Sequence, residues 1–168
     1  MAAGHRRDPM TITLRTADPA DHETVVDLIH VLNLHEADLT GDRKRDRAAA
    51  AAYHDELQQR LAKRNGRIVL AEEEGIVVAA MGFCLDEDAA YVTDDVRQHG
   101  TVTDLVVREE HRGRGIGRML LSEAERLTRE AGLRRLVIGA LVKNEGAERA
   151  YRAFGFEPYV SILVKPLD

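Results

Sequence analysis

The stretch His111–Leu121, "HRGRGIGRMLL", sets three glycines among three arginines and then runs into an apolar helical pattern. Glycines let successive backbone N–H groups point into one concavity, and a helix beginning behind them adds its positive end. The segment in front, "TVTDLVV" (101–107), is β-branched and apolar enough for a central strand. Strand, glycine turn and helix together make an anion cradle. A P-loop would need Lys-Ser or Lys-Thr after its last glycine, whereas Gly117 is followed by Arg118-Met119. A dinucleotide fingerprint would need G-x-G-x-x-G near the start of a βαβ fold. Here Gly113, Gly115 and Gly117 are spaced G-x-G-x-G late in the chain.

Working outward, "TITLRTA" (11–17) alternates as a strand does, and Asp18-Pro19 and Asp21 are helix-start signals. Val25, Leu28, Ile29 and Leu32 then recur at helical spacing. An alanine-rich second helix ends at Asn65-Gly66. Residues 67–72 and 76–85 read as a hairpin turning at Glu74-Gly75, followed by an acidic loop with a short strand at its centre. The helix after the glycine turn buries Ile116, Leu120, Ala124, Leu127 and Ala131. "LRRLVIGALV" is a strand, "NEGAERAYRAF" a helix and "EPYVSILVKPL" a last strand. The expected order is β-α-α-β-β-β-α-β-α-β, one α/β domain over 10–168, with residues 1–9 a disordered extension.

The chain of 168 residues suits one core, and its lone cysteine, Cys84, excludes an intrachain disulfide and thiolate metal clusters. None of its seven histidines shows the HExxH ligand spacing, and His30 and His35 would not share a helix face, so no metal site is expected. The start "MAAGHRRDPM" has no apolar signal-peptide core, and no segment reaches the apolar length of a membrane span. A cytoplasmic protein without membrane contact is expected. Residues 1–100 carry 12 basic and 19 acidic side chains, a net of −7, and residues 101–168 carry 12 and 10, a net of +2. That balance argues against nucleic acid and for a polyanionic small ligand on the C-terminal half.

The pattern R-x-x-G-x-G, carried by Arg112, Gly115 and Gly117, resembles the acyl-CoA pyrophosphate loop of the GNAT superfamily of N-acetyltransferases. Leu105 and Val107 match that family's L-x-V strand, although Glu109 stands where relatives often have proline. A second segment, "NEGAERAYRAFGF", resembles the family's N-x-x-A-x-x-x-Y-x-x-x-G-F, with Asn144, Ala147, Tyr151, Gly155 and Phe156 in register. The specific match covers residues from about 101 to 157, and the N-terminal hundred agree in element order.

The resemblance implies a GNAT fold in which the strands beside Leu105, Val106 and Val107 splay, so that their backbone pairs with the pantetheine amides of acetyl-CoA. A backbone N–H near Leu105 or Val106 would polarise the thioester carbonyl. The amides of Gly113, Gly115, Ile116 and Gly117 would hold the diphosphate, with Arg112, Arg114 and Arg118 adding charge. Asn144 is a good helix cap, and its family role near the pantetheine arm is compatible with capping. Tyr151 is either a core aromatic or, as in the family, the general acid for the departing thiolate, whose conjugate-acid pKa is about 8.5.

Asp104 precedes the pantetheine-pairing residues; it would take a proton from the acceptor amine, bind the ammonium, or stay solvated. The acidic stretch Asp86, Glu87, Asp88, Asp94 and Asp95, with His99 as a proton relay, points to a cationic acceptor, as do Glu36 and Asp38. Cys84 reads as packing. The function implied is acetyl-CoA-dependent N-acetyl transfer to a small-molecule amine by direct attack. The alternative is a non-catalytic acyl-CoA sensor or docking module. The apolar last strand could pair two copies into a homodimer.

Overall fold

The hairpin strands are apolar on both alternating faces because both faces are covered. The computed structural model describes residues 11–167; the extension expected at residues 1–9 lies outside them. Its five strands are β1 (Ile12–Thr16), β2 (Arg67–Glu73), β3 (Ile76–Glu87), β4 (Gln98–Val107) and β5 (Leu136–Ile138). The helices are α1 (His22–Thr40), α2 (Arg47–Lys63), a short α3 (Asp94–Arg97), α4 (Ile116–Glu130) and α5 (Glu145–Phe154).

One mixed sheet runs in the order β1-β2-β3-β4-β5, antiparallel until β5 joins β4 in parallel. Ile68 and Leu70 pack on one face with Val26, Leu28, Leu57 and Leu61 of α1 and α2. Val69 and Ala71 turn to the other face, against Ile116, Leu120, Ala124 and Leu127 of α4. Ala131, expected on that inward face, ends the helix and is exposed. Arg15 donates to both Glu72 (2.8 Å) and Asp21 (2.6 and 2.7 Å), tying β1 and β2 to the entry of α1. The Arg15 guanidinium holds the Asp21 carboxyl down at about 2.

Two departures from the sequence reading position the site. β4 carries one extra residue against β3, because Gly82 faces Asp104 while Phe83 already faces Val102. Thr103 is the bulged residue, and a bulge re-aims the side chains that follow it. Gly82 makes room for it, since a Cβ there would stand 2.2 Å from Thr103 Oγ1. Then β4 and β5 share three pairs, Gly100–Leu136, Thr101–Val137 and Val102–Ile138. Past Val102 the two strands part.

The expected last strand does not form. Residues 157–167 take no strand pairing, and Ile162, Leu163 and Val164 are 83%, 93% and 86% exposed. Tyr159 alone of the segment's large side chains has a ring contact, lying under the Arg135 guanidinium at 4.2 Å. The residues have strand propensity, but a strand also needs a partner edge, which propensity does not supply. The short strand expected in the acidic loop is the single helical turn α3.

Gly82→Ala is expected to cost about 1–3 kcal/mol in urea unfolding by overpacking against Thr103. The double variant with Thr103→Ala is expected to recover most of that loss, so that the two changes are strongly non-additive.

Candidate active site

Where β4 and β5 part, a cleft of about 810 Å³ opens between the strands, α1, α4 and α5. That volume suits a sizeable small-molecule ligand. Arg108 N–H donates to Val78 C=O at 2.9 Å. By the alternation of an antiparallel pair, Val106 also turns its backbone groups to β3, and Leu105 and Val107 turn theirs to the parted edge. The Val107 carbonyl accepts from Arg112 Nε at 3.1 Å, which leaves the Leu105 N–H and C=O aimed along the cleft.

The glycine turn closes one end. Gly113 and Gly115 have φ of 72° and 81°, left-handed backbone that other residues adopt at a cost. Gly115 is the N-cap of α4, and the first helical bond runs from Met119 N–H to Gly115 C=O. The amides of Ile116, Gly117 and Arg118 therefore precede the helical ladder and point out of its end. A Cβ at Gly117 would meet only Leu105 Cδ2 at 3.8 Å, so packing does not require glycine there. Arg118 stands over the Phe154 ring at 5.7 Å. Asn144 caps α5, accepting from Ala147 N–H at 3.2 Å, and lines the same cleft.

The structure thus brings Asp104, Leu105, Val106, Val107, Arg112, Gly113, Gly115, Ile116, Gly117, Arg118, Asn144 and Tyr151 to one cleft. Arg114 departs from the expectation: it lies outside the lining and donates to Glu73 of β2, at 3.0 Å from Nη1 to Oε2. Glu73 is only 5% exposed. The Arg114 guanidinium, with His111 Nε2 at 3.2 Å, holds its carboxyl below the usual range. Arg114 therefore anchors the turn to the sheet. Its partner lies 41 residues upstream, beyond the reach of motif reading.

The other end holds groups that sequence reasoning missed. Tyr53 of α2 donates its hydroxyl to Asp104, 2.9 Å from each carboxylate oxygen. Burial, then the Asp104 charge, raises the Tyr53 phenol far above its ordinary value. Burial also raises the Asp104 carboxyl, against the hydrogen bond from Tyr53, and nearby Glu36 adds to the rise. Glu36 lines the cleft beside Arg43, which donates to it at 2.8 Å. The only sequence signal for Tyr53 is a lone aromatic on an alanine-rich helix. Tyr151 is half-buried, its phenol pushed up to about 12 by burial and then by the Glu36 and Asp104 charges. It remains a proton donor throughout the neutral range.

The acidic loop is not part of the cleft lining. Asp86 pairs with Arg60 and Arg64, Glu87 with Arg97, and Asp88 with Arg135, at the far end of the β3–β4 hairpin. His99 is buried there, with Nδ1 3.2 Å from the Arg97 carbonyl, so it relays no proton to the cleft. Asp38 pairs with Arg45 in solvent. Cys84 is fully buried in the face under α1 and α2, its thiol pushed up by burial.

A family model described as "Acetyltransferase (GNAT) family" matches residues 29–156. The chain belongs to that family, and its enzyme class is N-acetyltransferase. It is 27% identical over 145 residues to the L-methionine sulfoximine/L-methionine sulfone acetyltransferase of Salmonella typhimurium, covering 86% of this chain and 80% of that one. It is 34% identical over 104 residues to an aminoglycoside N(6')-acetyltransferase type 1 of Stenotrophomonas maltophilia, covering 61% and 67%. The fold is shared with the aminoglycoside N-acetyltransferase AAC(6')-Iy solved in complex with CoA, at a TM-score of 0.71 and 16% identity over 95% and 97% of the chains.

Removing the Tyr53 hydroxyl takes away a hydrogen bond that favours the Asp104 carboxylate. Tyr53→Phe is therefore expected to raise the Asp104 pKa further, read as a later carboxyl titration in ¹³C NMR than in the wild type.

Proposed function

We propose that the protein transfers an acetyl group from acetyl-CoA to the primary amine of a small cationic acceptor, by direct attack without an acyl-enzyme. The observation that carries this reading is the polarity of one cleft. Helix-end amides and two arginines stand at one end, and a carboxylate pair at the other. The residues present fit the cosubstrate. Amides of the 113–118 turn, with Arg112 and Arg118, suit a diphosphate, and the free edge at Leu105 suits the peptide-like amides of pantetheine. Bound acetyl-CoA supplies the acetyl group and a thiolate leaving group.

The chain's own residues manage charge and protons. Glu36 is neutralised by Arg43, so Asp104 leaves the acceptor end with one unanswered negative charge, enough to draw in an ammonium. An amine with a pKa of roughly 10 must lose a proton before attack, and Asp104, with its raised pKa, is suited to receive it. Tyr53 holds that carboxylate in place. The Leu105 N–H is aimed where a carbonyl oxygen gaining charge needs a donor. The Tyr151 hydroxyl protonates the departing sulfur. Two of the curated relatives are named for an aminoglycoside and for L-methionine sulfoximine or sulfone, which supports a small amine as the acceptor class here, while a third is named for the alanine of ribosomal protein bS18. A cytoplasmic location goes with this reading.

The test is thiol release from acetyl-CoA across a panel of amines, including aminoglycosides, polyamines and methionine sulfoximine. Against whichever acceptor turns over, Tyr151→Phe is expected to lower kcat about 10²–10⁴-fold with little change in acetyl-CoA binding. Unchanged turnover in that variant would remove Tyr151 from the chemistry.

A homodimer is part of the same proposal. The exposed apolar segment 157–167 and the free edge of β5 are complementary, and pairing them between two copies would bury both. Light scattering is expected to give twice the chain mass. The double change Ile162→Asp, Val164→Asp, on one face of an extended segment, is expected to give monomer.

A further inference from the structure

Away from the cleft, the first turn of α1 lies against the middle of α2. There the ligand atoms of His22, His54 and Asp55 all come within 4.8 Å of one another. The two imidazoles meet edge to face, with ring centroids 4.6 Å apart at 87°. His54 is only 5% exposed, and its Nδ1 has no hydrogen-bond partner among the described residues. Its Nε2 does have one, the Gln58 side chain at 3.3 Å. A buried polar atom without a partner is uncommon, and this one faces the direction from which other ligands arrive: the Asp55 carboxylate lies 3.6 Å away.

We propose that His22, His54 and Asp55 form a binding site for a divalent transition-metal ion of zinc type, clipping α1 to α2. Two imidazoles and one carboxylate select a borderline ion over calcium or magnesium. A tetrahedral ion at about 2.0–2.1 Å from each ligand needs ligand atoms roughly 3.4 Å apart. The buried His54 is the fixed member, while His22 and Asp55, 43% and 71% exposed at the side chain, have room to close on it. Water would complete the shell. Gln58 is the outer partner: with its amide oxygen toward His54, it accepts the Nε2–H and leaves Nδ1 unprotonated for the metal.

The site answers the question raised by the absence of a ligand motif. His22 and His54 are 32 positions apart and meet only because α1 and α2 pack against each other. It is linked to the acceptor end of the cleft through α2, because Tyr53, the donor to Asp104, precedes His54 on the same turn. An ion here would fix the rotation of that turn.

The experiment is calorimetric titration of chelator-stripped full-length protein with zinc chloride, with cobalt(II) absorption as a geometric readout. The proposal predicts one saturable site per chain, a higher thermal midpoint with zinc, and visible bands of four-coordinate cobalt. His22→Ala and Asp55→Asn, both at exposed side chains, should each weaken binding at least about tenfold. His5→Ala and His111→Ala should leave it unchanged. Failure to saturate at millimolar zinc, or equal binding in the His22→Ala and Asp55→Asn variants, would overturn the proposal. Because neither variant disturbs buried His54, loss of fold does not confuse the result. The outcome does not depend on acetyl transfer.

Discussion

Three backbone pairs, Gly100–Leu136, Thr101–Val137 and Val102–Ile138, hold β5 to the sheet, and beyond them β4 keeps one edge without a strand partner among the described residues. Unpaired N–H and C=O groups inside a fold are costly unless water or a ligand satisfies them. The bulge at Thr103 sits at the point of parting, admitted by Gly82 on β3, and α4 begins at the exit of the same strand. The turn that starts α4 therefore faces the gap. An extended, amide-bearing ligand with a charged end would meet backbone donors along its length and helix-end amides at its terminus. The sheet irregularity creates the demand, and the glycine turn supplies the matching charge.

The cleft is electrically polar by construction. Arg114 is drawn off to buried Glu73, which fixes the turn, while His111, also beside Glu73, stays on the lining with Arg112 and Arg118. At the opposite end Glu36 and Asp104 share a partly desolvated space, with Arg43 donating to Glu36. Burial and the Glu36 charge raise the Asp104 carboxyl, while the Tyr53 hydroxyl keeps it oriented. Tyr151, raised to about 12 by burial and the same carboxylates, keeps its proton. One local field thus acts on both groups to which the proposed reaction gives opposite proton-transfer roles.

The sequence revealed what is local. The placement of the 112–118 turn and the 144–156 segment could be read because it depends on spacing within one strand–turn–helix or one helix. The β2–β3 hairpin was legible too, because its Glu74-Gly75 turn is local. What could not be read depends on pairs distant along the chain: Tyr53 with Asp104, Arg114 with Glu73, and His22 with His54. The acidic loop misled because a run of carboxylates does not show which arginines fold back to meet it. The segment 157–167 misled because strand propensity does not say whether a partner edge lies within the same chain. The parting of β4 from β5 came only through family resemblance; "TVTDLVV" by itself reads as an ordinary core strand.

In the proposed function, the parted edge of β4 and the glycine turn together bind an acyl-CoA. The most direct test is thermal unfolding of the wild-type protein with acetyl-CoA, CoA, ATP and NAD, each at saturation. Acetyl-CoA and CoA should stabilise the fold, by about 2.7 kcal/mol at 100 times Kd, while ATP and NAD give no comparable shift. No stabilisation by either CoA species, or stabilisation by ATP or NAD alone, would contradict the account.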